Sequence, residues 1–218
     1  MYAKLLFVLT VLFPLIVAAQ ITEEPRGMNA GMQNALVLEL PDSEERLVKK
    51  WWQTYMKDHG ARPKKVKGSD ELLSEGAGVS GLGGSVNVYN RLNQVGQTTY
   101  NVVWFDQGAD GYLNSADNPA AYTEAEKFLM RFALFVTEEK IKLELAAEEK
   151  EMKMLLNDLS KLERENASYH REIEQAKERI ARAEANIITN LENQKKAKAD
   201  IENQQEVVED VKRRLSEM

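Results

Sequence analysis

The residues best placed to do chemistry lie in one twelve-residue segment, Asp106 to Asp117. Asp106, Asp110, Asn114 and Asp117 occupy positions 1, 5, 9 and 12, with Gly111 at position 6 and Leu113 at position 8. Calcium takes six to eight oxygens from a tightly turning segment, and this spacing resembles an EF-hand loop. Two positions depart from that pattern: Gly108 stands where an acid or amide belongs, and Asp117 where the longer, bidentate Glu is usual. The same residues also suit a plain strand-to-helix connection, with Asn118 as cap and Pro119 as the first helical residue. A calcium-binding or ligand-binding head is therefore one expectation and an ordinary connecting loop the other.

The remaining candidates are weaker. Gly76, Gly78 and Gly81 match G-x-G-x-x-G, but an alternating strand pattern follows instead of the helix whose N-terminus would receive a phosphate. Arg62, Lys64, Lys65 and Lys67, with Lys49, Lys50 and Lys57 before them, make a local basic edge. Such an edge either guards a sheet border with lysines or meets an acidic glycan, lipid headgroup or partner. The two histidines, His59 and His170, have no neighbouring acid or ligand pattern, and no serine sits in a G-x-S-x-G elbow. With no cysteine there is no disulfide scaffold, no thiolate nucleophile and no thiolate-bound metal. A formal charge of −6 argues against nucleic acid as a partner. No pattern in the chain supports an enzyme.

The elements around these residues fall into four stretches. Residues 1–19 read as a secretory signal: Lys4, an apolar run from Leu5 to Ala19, and the small residues Val17, Ala18 and Ala19 ahead of Gln20. Residues 20–34 have no regular pattern and read as a flexible segment. Residues 35–136 read as a small α+β head of order β-α-β-β-β-β. Ala35–Leu40 is a short apolar strand, and Asp42 with Glu45 offers a capping box to a helix whose stripe is Leu47, Val48, Trp51, Trp52, Tyr55 and Met56. Strands follow near 63–67, 71–77, 85–94 and 97–106, the last two joined as a hairpin at Val95-Gly96. In the final strand Tyr100, Val102 and Trp104 share one face, Val103 and Phe105 the other. The tryptophans are expected between helix and sheet.

All 12 glycines precede residue 112 and the last of the 5 prolines is Pro119, which leaves residues 120–218 without a breaker. A first stripe, Ala125, Phe128, Leu129, Phe132, Phe135 and Val136, is meant for the sheet. Residues 137–218 read as a coiled-coil rod. With Met152 at position a of the heptad, the inward positions run without a break from Met152, Leu155, Leu159 and Leu162 to Leu215 and Met218. Sixteen of those twenty are apolar, against 43% for the whole chain, so the seam is not chance. Ile173, Ile180, Ile187, Ile201 and Val208 at a favour parallel dimers; Ala176, Ala183 and Ala197 at d permit close approach. Asn166 at a suits a register-setting role. One continuous helix would reach about 150 Å; the alternative is a hairpin turning at 166–168 or 190–193.

A signal ending in Ala18-Ala19-Gln20, a compact βα head and a long acidic coiled coil resemble uncharacterised secreted proteins of Bacteroidota. Signal plus helical arms is also similar, in architecture alone, to the Skp-like periplasmic holdase chaperones. The expectation is a non-enzymatic structural or interaction protein of the cell envelope. It would be periplasmic or secreted after cleavage, homo-oligomeric, with an envelope protein as partner, no nucleic acid and no stable membrane insertion. A holdase chaperone is the alternative. Mass spectrometry of the native protein is expected to find Gln20 as its first residue, with the protein released by a carbonate wash of membranes; an uncleaved Met1 would end the secretory reading.

Overall fold

The computed structural model describes residues 20–217, so the signal reading of 1–19 and the last seam position, Met218, lie outside the described residues. The chain divides into two compact units, Met1–Ala146 and Ala147–Met218. In chain order the elements are β1 (Ile21–Met28), β2 (Gly31–Leu40), α1 (Glu45–Asp58), β3 (Lys64–Lys65), β4 (Leu72–Gly78), β5 (Ser85–Val95), β6 (Thr98–Asp106), a 3-10 turn (Gly108–Asp110) and α2 (Pro119–Ser216). The six strands form one antiparallel sheet of order β1-β2-β6-β5-β4-β3. The architecture is the expected α+β head followed by one very long helix, with no fold-back at 166–168 or 190–193.

The expected β-α-β-β-β-β order lacked one strand. Residues 20–34, read as flexible, form β1, a tight turn and the start of β2, paired from Ile21↔Leu38 to Met28↔Gly31. The sequence ITEEPRGM has no β periodicity of its own, and its pairing with β2 overrides weak local propensity. Pro25, which has no N–H to give a ladder, is tolerated because β1 lies at the sheet edge.

The start of α1 also differs from expectation. Asp42 sits in a turn at φ 49° instead of capping, and Glu44 at the N-cap position makes no side-chain cap bond. The orphan N–H of Glu45 instead donates to Gln94 Oε1 at 3.0 Å, from the end of β5. Thr99 Oγ1 donates to the Ser43 carbonyl at 2.6 Å and ties the same turn to β6. The helix is capped by tertiary structure, not by its own first residues.

Both helices pack on one face of the sheet. Leu36, Leu38, Val88, Val103 and Phe105 meet Trp52, Tyr55 and Met56 of α1 and Phe128, Leu129, Phe132 and Val136 of α2. Trp52 is the centre: its ring stands edge-on to Phe132 at 4.8 Å and to Phe128 at 6.3 Å. Tyr55 donates its hydroxyl to the Phe128 carbonyl at 2.9 Å, joining α1 to α2.

The alternation along β6 is as read, but the helices choose the face of Val103 and Phe105. Trp104 therefore lies on the opposite, helix-free face, contrary to expectation. It is fully buried there in a second cluster with Met28, Ala35, Val37 and Val102, flanked by Tyr89, Tyr100 and Tyr112. What covers it is the sheet's own curl. The Asn29 N–H, in the β1–β2 turn at one edge, donates to both Glu71 carboxylate oxygens at 3.1 and 3.2 Å, next to β4 near the other edge. The Arg91 guanidinium lies 3.8 Å from Glu71 and 5.4 Å from the Trp104 ring centroid.

Burial pushes the Tyr55 pKa up to about 12, against a smaller downward pull from Arg131. A folded value above the unfolded one of about 10 means that this stabilisation is complete below pH 10 and is lost as pH rises toward 12. Tyr55→Phe is expected to cost about 0.5–1.5 kcal/mol at pH 7 through its lost hydrogen bond. Urea unfolding of the variant between pH 9 and 12 should show a shallower loss of stability than the native protein.

Candidate functional site

The segment Asp106–Asp117 folds as two separate turns. In the first, Asp106 Oδ1 accepts the Gly108 N–H at 2.9 Å, and the Gln107 N–H donates to the Gly111 carbonyl at 2.9 Å. Leu113, buried, then returns to the sheet by donating its N–H to the Phe105 carbonyl at 2.9 Å. In the second turn, Asn114 Oδ1 accepts the N–H groups of Ala116 and Asp117, and Asn114 Nδ2 donates to Asp117 Oδ2 at 2.7 Å. Asn118 Oδ1 accepts the Ala121 N–H at 3.1 Å with Pro119 as the first helical residue, the cap read from sequence. Asn114 and Asp117 are brought together; Asp106 and Asp110 are not gathered with them. Among the described residues no group of three or more His, Cys, Asp or Glu is placed to hold a metal ion. The calcium spacing is thus realised as two hydrogen-bonded turns, each using its own side-chain oxygens.

The glycine motif starts within β4, with Gly76 and Gly78, and its loop leads to β5, so no helix follows it. Gly78 donates its N–H to the His59 carbonyl at 2.8 Å, and the motif closes the sheet against the end of α1. Gly81 has a steric reason to be glycine: at φ 84° a Cβ would come within 2.3 Å of Glu124 Cγ on α2. His59 points its Nδ1 at the Tyr55 carbonyl, 2.8 Å away, and its ring packs against Tyr55 and Phe128. His170 is exposed on α2.

The basic edge is β3, the outermost strand on its side. Lys64 lies 3.8 Å from Glu75 and Lys65 3.5 Å from Asp70, all well exposed. Exposed pairs of this kind contribute little energy, and charged side chains on an edge keep further strands from adding to it.

Three features were missed from sequence. The Glu71–Arg91–Trp104 cluster holds the β1–β2 turn across the helix-free face. Beside it a groove of about 330 Å³ has Val37 and Val102 as its floor, and Thr22, Glu39, Asn93 and Tyr100 among its walls. Glu24, also at the rim, is paired with Arg26 at 2.8 Å. On the helix side, Asn90 Nδ2 donates to Asn101 Oδ1 at 2.9 Å with both residues fully buried. Only the period-two alternation of β6 signals the groove floor; the cross-sheet contacts have no local signature.

The second unit, Ala147–Met218, is helical through Ser216. Its heptad residues Leu155, Leu159, Leu162, Ile173, Ile180 and Ile187 are each 51–62% exposed. Its charged side chains pair along the helix, as Lys177 with Glu174 and Lys212 with Glu209, both at 2.8 Å. Apolar residues at heptad spacing along a long helix are compatible with coiled-coil packing. Among the described residues no helix is long and apolar enough to cross a membrane. Comparison with protein-family models, curated proteins and solved structures finds no match.

Removing the Glu71 carboxylate leaves the Asn29 N–H and the Arg91 guanidinium without their shared acceptor. Glu71→Ala is expected to cost about 1–3 kcal/mol. Hydrogen exchange at the Asn29 amide should accelerate far more than at Trp52 or Phe132. Equal acceleration everywhere would mean that Glu71 serves the whole core and not the turn.

Proposed function

We propose that this is a non-enzymatic structural or interaction protein of the cell envelope, exported through its N-terminal signal and assembled with copies of itself through residues 147–217. The α+β head is the part displayed; the helical unit is the part that assembles. The observation that carries this reading is the seam: apolar residues in unbroken 4-3 spacing, interrupted at four amides, with Leu155, Leu159, Leu162, Ile173, Ile180 and Ile187 each more than half exposed along a single helix. Burying one isoleucine of this seam contributes about 1.5–3 kcal/mol. Marginal helices gain most of their stability from such burial, so the unit gains by association what it lacks alone. Residues 1–19 support export by their sequence, and the head's groove and curled face offer a surface on which a partner can act.

The test is sedimentation of the chain from Gln20 onward. At tens of micromolar it is expected to run as an oligomer. Ile180→Lys places an ammonium in the seam without a partner, a penalty far above that of shortening the side chain. This variant should run as a monomer while the near-ultraviolet signal of Trp52 and Trp104 persists, because neither lies in the helical unit. A native protein that sediments as a monomer, unchanged by Ile180→Lys, would overturn the reading.

A further inference from the structure

An exposed heptad seam can receive a second copy of itself in either direction, or an unrelated helix. Its polar positions and charged flanks discriminate among these. We propose that the occupant is one further copy of this chain, parallel and in register from Met152 to Leu215. The inference rests on the assembly reading above and names its partner, direction and alignment.

The seam has four amide side chains: Asn166 and Gln194 at a, Asn190 and Gln204 at d. An amide buried against an apolar side chain loses its hydrogen bonds, whereas two amides facing each other can each donate and accept. In a parallel, in-register pair every one of the four meets its own counterpart. In an antiparallel pair, facing residues have numbers of constant sum. The six pairwise sums of these four positions all differ, so no antiparallel alignment brings more than two of them together. Facing Asn190 with Gln194, for example, sets Gln204 against Ile180. A parallel pair shifted by one heptad fails similarly, setting Asn166 against Ile173 and Asn190 against Ala197.

The flanks select the same alignment. In a parallel pair, a residue at g faces the residue five positions later on the partner, at e. Glu172 then meets the partner's Lys177, and Arg179 meets the partner's Glu184, two opposite-signed pairs around Ile173, Ala176, Ile180 and Ala183. Asp158 with Glu163 is a like-signed pair, beside Leu155, Leu159 and Leu162. Lys177, bonded to Glu174 on the surface of its own helix, is exposed and free to exchange partners. The β-branched residues at a select two strands over more.

The chain has no cysteine, which makes single-cysteine probes unambiguous. Ala176→Cys and Ala183→Cys each place a thiol at d, and only the proposed register puts both beside their own copies; Glu178→Cys places one at f, pointing outward. Each variant, in the full chain from Gln20, is oxidised with a mild disulfide reagent, run on a non-reducing gel and sedimented in parallel. The expected result is near-complete linked dimer for both seam variants, little for Glu178→Cys, and a two-chain mass for all three. An oligomer without linkage at 176 and 183 overturns this inference and leaves the assembly reading standing, as does a mass of three or more chains. Equal linkage at 178 shows random collision and overturns it too. A monomer overturns both.

Discussion

The contact on which the rest of the head depends is Trp52 of α1, set edge-on against Phe132 and Phe128 of α2. A helix the length of α2 cannot hold its position on a domain by local propensity, since its backbone bonds are all internal. It is held by what its first turns bury, and those turns bury Phe128, Leu129, Phe132 and Val136 into the same core, on the same face of the sheet, that α1 enters. Aromatic pairs in this geometry add about 0.5–1.5 kcal/mol to the area they remove from water. The Tyr55 hydroxyl, donated to the Phe128 carbonyl, then fixes where along α2 this packing occurs. The sheet supplies a floor for both helices, and its other face is left to close on itself.

That closure explains most of the differences between sequence pattern and structure. Local pattern made the strands 35–40, 85–94 and 97–106 legible, as well as the amphipathic helix after them, because each satisfies its own period. β1 was not legible: Glu23, Glu24, Pro25 and Arg26 disfavour a strand, and only the register with β2 makes one. The same holds for the cap of α1. Asp42 and Glu45 have the right types and spacing, yet Gln94, about fifty residues away, accepts the bond. Trp104 was placed on the correct side of its own strand and the wrong side of the sheet. Alternation sorts residues into two faces but cannot say which face a helix covers, and here an arginine, a methionine and a folded-over turn bury a tryptophan without one.

The candidate sites divide along the same line. Asn118 and Pro119 were legible as a helix start because a cap is satisfied within three residues. In the segment with calcium spacing, Asp106 and Asn114 each accept the nearest backbone N–H groups, which are close in sequence and cost little chain entropy to reach. The groove on the helix-free face had no signature, because its walls come from β1, β2, β5 and β6 and meet only after the sheet has formed.

The helical unit shows the opposite economy. There everything is local and periodic, so the helix was legible to its last described turn, and the imperfections of its heptad pattern are informative. Asn166, Asn190, Gln194 and Gln204 weaken the apolar stripe relative to leucine or isoleucine at the same places. Polar seam residues trade stability for uniqueness, because they disfavour every alignment that leaves them against an apolar partner. One such residue sets a register against heptad slips; four at unequal intervals of 24, 4 and 10 residues also oppose reversal, because an unequal series does not superimpose on its mirror order. The alanines at d act with them, admitting close approach where two small residues meet and leaving a gap where alanine meets isoleucine. A seam of uniform leucine would pack in more ways, whereas in the proposed pair the amides would give up part of that affinity to fix direction and register.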